Sequence, residues 1–286
     1  MKQNDLELRG VCKRFAGFRL EDIGLELPKG YIMGLVGPNG AGKTTTIRLI
    51  LNMLEKDAGR ISVFGLDHVR DERKIKQQLG IVFDSVFYAE NWTVQETGRA
   101  ISPFYEAWEQ DVFEGLLERF ELPRKTRVGA LSRGMQMKLM LACALSHRAR
   151  LLILDEPTSG LDPATRSELL DLLQEYIQDG EKSVLFSTHI TTDLERIADY
   201  VTVLNRGTLF YTGTLDGLLQ RYRLVRGKIK DLTPQLEACV VGLRRTEVGF
   251  EGLIAAEEAR QYRGCVADVP SLEDIVVCVS KRRNAE

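Results

Sequence analysis

The fold is decided by the stretch Gly37-Pro38-Asn39-Gly40-Ala41-Gly42-Lys43-Thr44. A short apolar run at residues 31–36 precedes it, and residues 43–54 carry the spacing of a helix. A strand, a glycine-rich loop and a helix in this order open an α/β unit. The glycines let the backbone curl until its N–H groups converge on phosphate oxygens, and the helix N-terminus adds its positive dipole end. The stretch therefore predicts a phosphate-binding loop.

Two side chains of this loop have predicted roles. Lys43 is predicted to reach the β- and γ-phosphates of a bound nucleotide, and the hydroxyl of Thr44 is predicted to ligate Mg²⁺. The other predicted nucleotide-binding residues belong to the loop and the first helical turn: Gly37, Pro38, Asn39, Gly40, Ala41, Gly42 and Thr45. The alternative is a glycine-rich turn that contains a lysine by chance.

A second apolar strand, at residues 151–154, ends in two carboxylates, Asp155 and Glu156. Ligands of open α/β sheets bind at the carboxyl ends of the strands. Asp155 therefore suits a Mg²⁺ shell, and Glu156 is the candidate catalytic residue that polarises an attacking water. A solvated acidic turn is the alternative, and the phosphate-binding loop earlier in the chain disfavours it.

The pattern changes twice along the chain. Helical spacing interrupts the α/β pattern and predicts a helical subdomain over about residues 85–150. From about Thr214 glycines and prolines break the chain into short pieces, and Ser271 with an acid three residues later predicts a helix start. We predict a large α/β domain over residues 1–213 and a small accessory or dimerisation α+β domain over residues 214–286.

Composition narrows the class of protein. The 286 residues include 39 Lys and Arg against 41 Asp and Glu, and this net charge of −2 argues against a nucleic-acid binder that works through bulk positive charge. The five cysteines are scattered without a CxxC pair, which is typical of reduced thiols rather than of a disulfide framework or a zinc site. No apolar run approaches the roughly 18–20 residues of a membrane helix. We expect a protein that works inside the cell.

Further motifs carry a resemblance to a family. Leu131-Ser132-Arg133-Gly134-Met135-Gln136 is similar to the LSGGQ signature of ABC transporter ATP-binding subunits, Ser159-Gly160-Leu161-Asp162 looks like their D-loop, and Ser187-Thr188-His189 looks like their switch histidine. Over roughly residues 5–213 the chain resembles these subunits. The closing segment 270–275 resembles the tail of those that pair with ABC-2-type exporters.

The resemblance implies a fold and roles for further residues. The implied fold is an α/β P-loop ABC ATPase core with a helical subdomain, to which the C-terminal α+β domain is added. Ser132, Gly134 and Asp162 would face the nucleotide of a second subunit, and His189 would donate to the γ-phosphate. Phe15 stands where the family places an aromatic ring against adenine.

Two motifs depart from the family pattern. The signature has Arg133 in place of its first glycine and Met135 in place of its glutamine, while Ser132 and Gly134 remain. Asp84 stands where the family has its Q-loop glutamine, and it is a candidate third metal ligand beside Thr44 and Asp155.

The resemblance implies an ATP-hydrolysing subunit of a transporter, an exporter by its tail, with ATP and Mg²⁺ as cofactors. The implied partners are separate integral membrane subunits and a second ATPase subunit, either a copy or a paralogue, with no nucleic acid. Such a subunit would be cytoplasmic, on the inner face of a bacterial plasma membrane. The alternatives are a soluble ABC ATPase that acts on ribosomes or DNA, and a module that senses ATP without hydrolysing it.

Overall fold

The computed structural model describes residues 3–262 and 264–281. Ten strands form the larger of two sheets, in the spatial order β5-β4-β1-β2-β10-β9-β3-β8-β7-β6. These strands are β1 (Asn4–Phe15), β2 (Phe18–Pro28), β3 (Ile32–Val36), β4 (Ala58–Val63), β5 (Leu66–Asp67), β6 (Leu79–Val82), β7 (Leu151–Asp155), β8 (Ser183–Thr188), β9 (Tyr200–Asn205) and β10 (Thr208–Thr214).

One half of this sheet is parallel and buried. β3 pairs in parallel with β9 on one side and with β8 on the other, and β7 pairs in parallel with β8 and β6. Every residue of β3, β7 and β8 is buried, which fits the apolar runs of β3 and β7 and the apolar centre of β8 at residues 184–186. β1, β2, β4 and β5 form the antiparallel end of the sheet. The predicted α/β fold is confirmed.

Eleven helices accompany the strands in the described residues. They are α1 (Lys43–Ile50), α2 (Glu72–Lys76), α3 (Val94–Ile101), α4 (Gln110–Arg119), α5 (Arg133–Leu145), α6 (Pro163–Tyr176), α7 (Thr191–Ile197), α8 (Leu215–Arg221), α9 (Pro234–Cys239), α10 (Ala256–Ala259) and α11 (Leu272–Lys281). None of these helices combines the length and the apolarity that crossing a bilayer requires.

The helical segment between β6 and β7 is present where the sequence predicts it. Its first helix, α3, begins with a capping box in which Thr93 and Glu96 satisfy each other's backbone N–H groups. α4 buries Phe113 and Leu117 against α5. The helix predicted over residues 43–54 ends earlier, at Ile50, because Asn52 has a φ of 54° and cannot continue it.

The chain after Tyr222 forms a second, four-stranded antiparallel sheet in the order β12-β13-β11-β14. Its strands are β11 (Tyr222–Gly227), β12 (Val241–Arg245), β13 (Phe250–Ala255) and β14 (Val266–Asp268). The predicted start of the last helix is present, because the Ser271 hydroxyl accepts from the N–H of Asp274 at 3.1 Å and α11 follows.

The last helix ties this second sheet to the first. The N–H of Leu272 donates to Glu195 of α7 at 2.6 Å, and the side chain of Asn205 at the end of β9 donates to the carbonyl of Val279 at 2.8 Å. Leu272 and Val279 belong to the same apolar cluster as the buried residues of α7 and β9. The two sheets therefore share buried surface, and a boundary near residue 214 stays a prediction.

Candidate functional site

The glycine-rich loop follows the carboxyl end of β3 and leads into α1. Gly42, directly before the helix, has a φ of 108°, which side chains rarely adopt. A Cβ atom at Gly42 would also lie 2.6 Å from Leu20 Cδ2. The loop can therefore wrap closely over the end of the sheet only with glycine at this position.

Lys43 is buried although it is charged. Its side chain is 7% exposed, its Nζ donates to the carbonyl of Gly37 at 2.9 Å, and the same atom lies 3.3 Å from Glu156 Oε1. A buried ammonium group is tolerable only with such partners. The predicted phosphate-binding lysine is thus already in contact with the predicted catalytic carboxylate.

Asp155 lies at the end of β7 and is only 2% exposed. Burial raises the pKa of this carboxyl, hydrogen bonds from Ser187 and Thr44 oppose the rise, and the negative charges of Asp84 and Glu156 add to it. The Ser187 hydroxyl donates to Asp155 Oδ1 at 2.5 Å. Ser187 lies two residues before His189, and its hydrogen bond to Asp155 joins two strands, so no local sequence pattern predicts it.

Glu156 occupies a strained backbone conformation with a φ of 52°. A non-glycine residue in this region costs on the order of 1 kcal/mol, and the surrounding structure must hold it there. Its N–H donates to the carbonyl of Ser187 at 3.0 Å and lies 3.2 Å from the Ser187 hydroxyl. Glu156 Oε2 lies 2.6 Å from His189 Nδ1 and accepts the N–H of His189 at 3.2 Å. The two predicted catalytic residues are in direct contact.

A cleft of about 560 Å³ opens above these groups. Ten of the residues predicted from sequence line it: Asn39, Gly40, Ala41, Gly42, Lys43, Thr44, Thr45, Asp84, Glu156 and His189. Gly37 contributes its carbonyl to Lys43, and the buried Asp155 bonds to Thr44 and Ser187. Arg133, Ser159 and Phe18 line the cleft as well, although the sequence analysis gave them no role there.

The predicted adenine-stacking residue lies beside the cleft rather than in it. Phe15 is 44% exposed and lines an adjoining pocket of about 740 Å³, which shares Phe18 and Gly40 with the phosphate cleft. The rings of Phe15 and Phe18 are 6.3 Å apart. Phe18 is three residues after Phe15, across the turn between β1 and β2, and this hairpin is what places both rings at the same opening.

Three residues predicted from the signature and the D-loop lie outside the cleft of their own chain: Ser132, Gly134 and Asp162. Ser132 caps α5 by accepting from the N–H of Met135 at 3.3 Å, and Asp162 caps α6 by accepting from Ala164 and Thr165. Neither residue lines the cleft, and neither does Gly134. The structure therefore does not bring them to the phosphate loop of the same chain, and a role toward a second chain stays a prediction.

The donor set around Thr44 suits a hard cation. The hydroxyl of Thr44 hydrogen-bonds to the carboxylate of Asp155, and Asp84 is close enough to raise the pKa of Asp155. These are oxygen donors, which Mg²⁺ prefers, and a protein Mg²⁺ site needs only one or two of them because water and phosphate complete the shell. Within the described residues no group of three or more His, Cys, Asp or Glu side chains could hold a metal by itself.

Ionising the buried Asp155 carboxyl costs free energy in the folded protein when no cation is bound. The pKa of Asp155 is higher in the folded than in the unfolded protein. The protonated carboxyl therefore stabilises the fold below the unfolded pKa, and this stabilisation is lost as pH rises through the folded pKa. We expect Asp155→Asn to raise the thermal midpoint at neutral and alkaline pH, with a gain that shrinks as pH falls into the acid range. Unfolding followed from pH 4 to 9 without Mg²⁺ measures this.

Asp162→Asn is the matched control, since hydrogen bonds from Thr165 lower the pKa of Asp162. Its carboxylate stabilises the fold above its unfolded pKa, so this variant should show no gain at neutral pH. A lower midpoint of Asp155→Asn over the whole range would contradict the account.

Comparisons with known proteins identify the family of the chain. The family model described as ABC transporter matches residues 20–159. The chain is 32% identical over 211 residues to the ABC transporter ATP-binding protein NatA of Bacillus subtilis (strain 168), covering 71% of this chain and 85% of that protein. It is 32% identical over 307 aligned residues to the Nod factor export ATP-binding protein I of Rhizobium sp. (strain N33), covering 99% of each.

A solved structure, described as the ATP binding subunit of an ABC transporter, superposes with a TM-score of 0.69. It is 30% identical to this chain and covers 76% of it and 92% of its own length. The predicted resemblance is confirmed. The chain belongs to the family of ABC transporter ATP-binding subunits, the ATPases that power these transporters.

Proposed function

We propose that this chain binds and hydrolyses Mg·ATP in the cleft above β3, β7 and β8, and that it drives an exporter whose membrane subunits are separate chains. The contact of Glu156 with both Lys43 and His189 is the observation that supports this most directly. One carboxylate is held there between a phosphate-binding cation and a histidine that can sense phosphate.

ATP would change the partners of Lys43 and Glu156. Without nucleotide, the Lys43 ammonium is balanced by Glu156 and by the carbonyl of Gly37. The β- and γ-phosphates are stronger partners for Lys43, since they carry more charge than one carboxylate. Glu156 would then be free to accept a proton from water, and its second oxygen would remain oriented by the N–H of His189.

Mg²⁺ would be held by Thr44 and Asp155, with Asp84 as a third oxygen donor from across the cleft. When bound, the ion neutralises charge on the phosphates. It would also offset the repulsion among Asp84, Asp155 and Glu156 that raises the pKa of Asp155. The base of the nucleotide would lie against Phe15 and Phe18, beyond Gly40.

A second ATPase chain would complete the site. Ser132 and Gly134 are at the beginning of a 13-residue helix, where backbone N–H groups attract anions, and they do not face the cleft of their own chain. A facing copy or paralogue could present the same residues, together with Asp162, to the γ-phosphate. The proposed working unit is therefore a dimer with the nucleotide at its interface.

The membrane partner would contact a groove beside the helical segment. This groove of about 390 Å³ is lined by Gln77, Tyr88, Phe104 and Tyr105 among others, and Phe104 is 72% exposed. Tyr88 is four residues from Asp84 on one loop, and Asp84 lines the nucleotide cleft. The loop at 84–88 thus connects groove and cleft, so a segment of a membrane subunit seated in the groove would move a cleft residue.

The direction of transport is proposed from one relative. The Rhizobium protein aligned over the full chain carries export in its name. By analogy we propose an exporter, with this subunit bound to the inner face of a bacterial plasma membrane.

Glu156→Gln tests the assignment of the base. The substitution keeps the size of the side chain and removes the carboxylate, so we expect Mg²⁺-dependent phosphate release to fall by about 10²-fold or more, with ATP binding retained. Because bound ATP then persists, this variant should accumulate as a dimer on a sizing column with ATP and Mg²⁺.

Glu55→Gln is the control, since Glu55 is exposed and lies outside the cleft. It should leave turnover unchanged. Wild-type turnover in Glu156→Gln would refute the role of Glu156, and a monomer at saturating ATP would refute a homodimer.

Asp84 is tested by two substitutions that differ in length. Asp84→Asn keeps the shape and removes the charge, so the Mg²⁺ concentration for half-maximal hydrolysis should rise, as should the Mg²⁺ concentration that supports nucleotide binding. Asp84→Gln restores the residue that the family has at this position and should retain activity. If neither variant changes either Mg²⁺ dependence, Asp84 is a loop residue without a role in the metal shell.

A further inference from the structure

Arg133 stands where the family pattern has a glycine, and its charged side chain reaches the nucleotide cleft. It is the first residue of α5, directly after the capping residue Ser132, and it stands in place of a signature glycine. Its side chain is exposed and lines the nucleotide cleft of its own chain together with Lys43, Glu156, Ser159 and His189. A glycine has no side chain that could reach this cleft.

The D-loop holds this arginine in position. Gly160 has a φ of 72°, and a Cβ atom built there would lie 3.2 Å from Arg133 Cδ and Nε and 3.3 Å from Cζ. The side chain of Arg133 therefore rests on the bare backbone of Gly160. This contact directs it along the D-loop toward Ser159 and the cleft.

Arg133 has no acidic partner. Within residues 3–262 and 264–281 no carboxylate oxygen lies within 4.0 Å of its guanidinium group, and its side chain forms no hydrogen bond. Two other cations of α5 and α6 are paired, Lys138 with Glu168 and Arg166 with Asp193. A guanidinium group presents five N–H donors in a fixed fork that matches phosphate oxygens. An unpaired guanidinium on the wall of a phosphate cleft is available to an anion.

The charge balance of the cleft depends on this residue. Its charged lining consists of Lys43 and Arg133 against Asp84 and Glu156, with the buried Asp155 bonded to Thr44. Without Arg133 the lining would be net negative, and it would repel the terminal phosphate of a triphosphate. Arg133 lines the cleft together with Glu156, Ser159 and His189, and Glu156 Oε1 lies 3.3 Å from Nζ of Lys43, the residue predicted to reach the β- and γ-phosphates.

We propose that Arg133 binds the terminal phosphate of the nucleotide held by its own chain, and so makes even a single chain prefer ATP to ADP. This inference rests on the proposed nucleotide site. It differs from the role of Ser132 and Gly134, which act toward a second chain, because Arg133 acts within one chain and before dimerisation.

The test is made on the monomer, where no second chain can contribute. Calorimetry on the full chain, at a concentration that light scattering shows to be monomeric, compares ADP with adenylyl imidodiphosphate, a non-hydrolysable ATP analogue. Arg133→Gln keeps a polar side chain of similar helix propensity but shortens it and removes the guanidinium charge. The affinity for the triphosphate analogue should fall about tenfold, and that for ADP should change less than about twofold.

Two further variants make the result specific. Arg133→Lys keeps the charge and should retain most of the preference for the analogue. Arg127→Gln removes an exposed arginine of the same helical segment that does not line the cleft, and it should change neither affinity.

An unchanged ratio of the two affinities in Arg133→Gln would overturn the inference while leaving the proposed function intact. An equal loss for both nucleotides would overturn it as well, since it would indicate a disturbed cleft rather than a lost phosphate contact. A wild-type chain that binds neither nucleotide would overturn the proposed site together with this inference.

Discussion

The parallel register of β3, β8 and β7 is the constraint on which the site depends. Val36, the residue before the glycine-rich loop, pairs with Thr188, and Asp155 pairs with Ser187. The loop, the two carboxylates and His189 consequently leave the sheet at the same edge, where the parallel strands have their carboxyl ends. A slip of one residue would turn every side chain of a strand to the opposite face, so Ser187 could no longer bond to Asp155. The fully buried strands make such a slip costly.

The same arrangement places charges where folding alone would not favour them. Asp155 is buried among other carboxylates, Glu156 has a strained backbone, and Lys43 is buried with a carbonyl and a carboxylate as partners. The burial of the Asp155 carboxylate and the positive φ of Glu156 each cost free energy, and a ligand that brings both phosphate and a cation would offset these costs. Sites of this kind combine local destabilisation with function, and the rest of the sheet supplies the stability that tolerates it.

The local sequence is sufficient to predict those parts of the site that belong to one contiguous motif. The loop before α1, the strand before Asp155 and the order of the later motifs are readable because each is a short segment with its own spacing. Phe18 and Arg133 were missed for a different reason. The place of Phe18 depends on the direction that the hairpin between β1 and β2 gives its ring, and the place of Arg133 depends on a contact with Gly160 in a later segment of the chain. The attachment of α11 to Glu195 and Asn205 is likewise a long-range contact that no local pattern encodes.

We propose that the terminal phosphate of ATP lies where the carboxyl ends of β3, β7 and β8 meet. The three histidines of the chain allow the position of this phosphate to be tested directly. His189 lines the cleft, whereas His68 and His147 are buried and do not line it. Ring resonances of all three can be followed by NMR during titration with adenylyl imidodiphosphate and with ADP, and assigned with His189→Gln. The account predicts that the analogue shifts the resonances of His189 more than ADP does and leaves the other two unchanged. A His189 signal unmoved at saturating analogue, with movement at His68 or His147 instead, would contradict it.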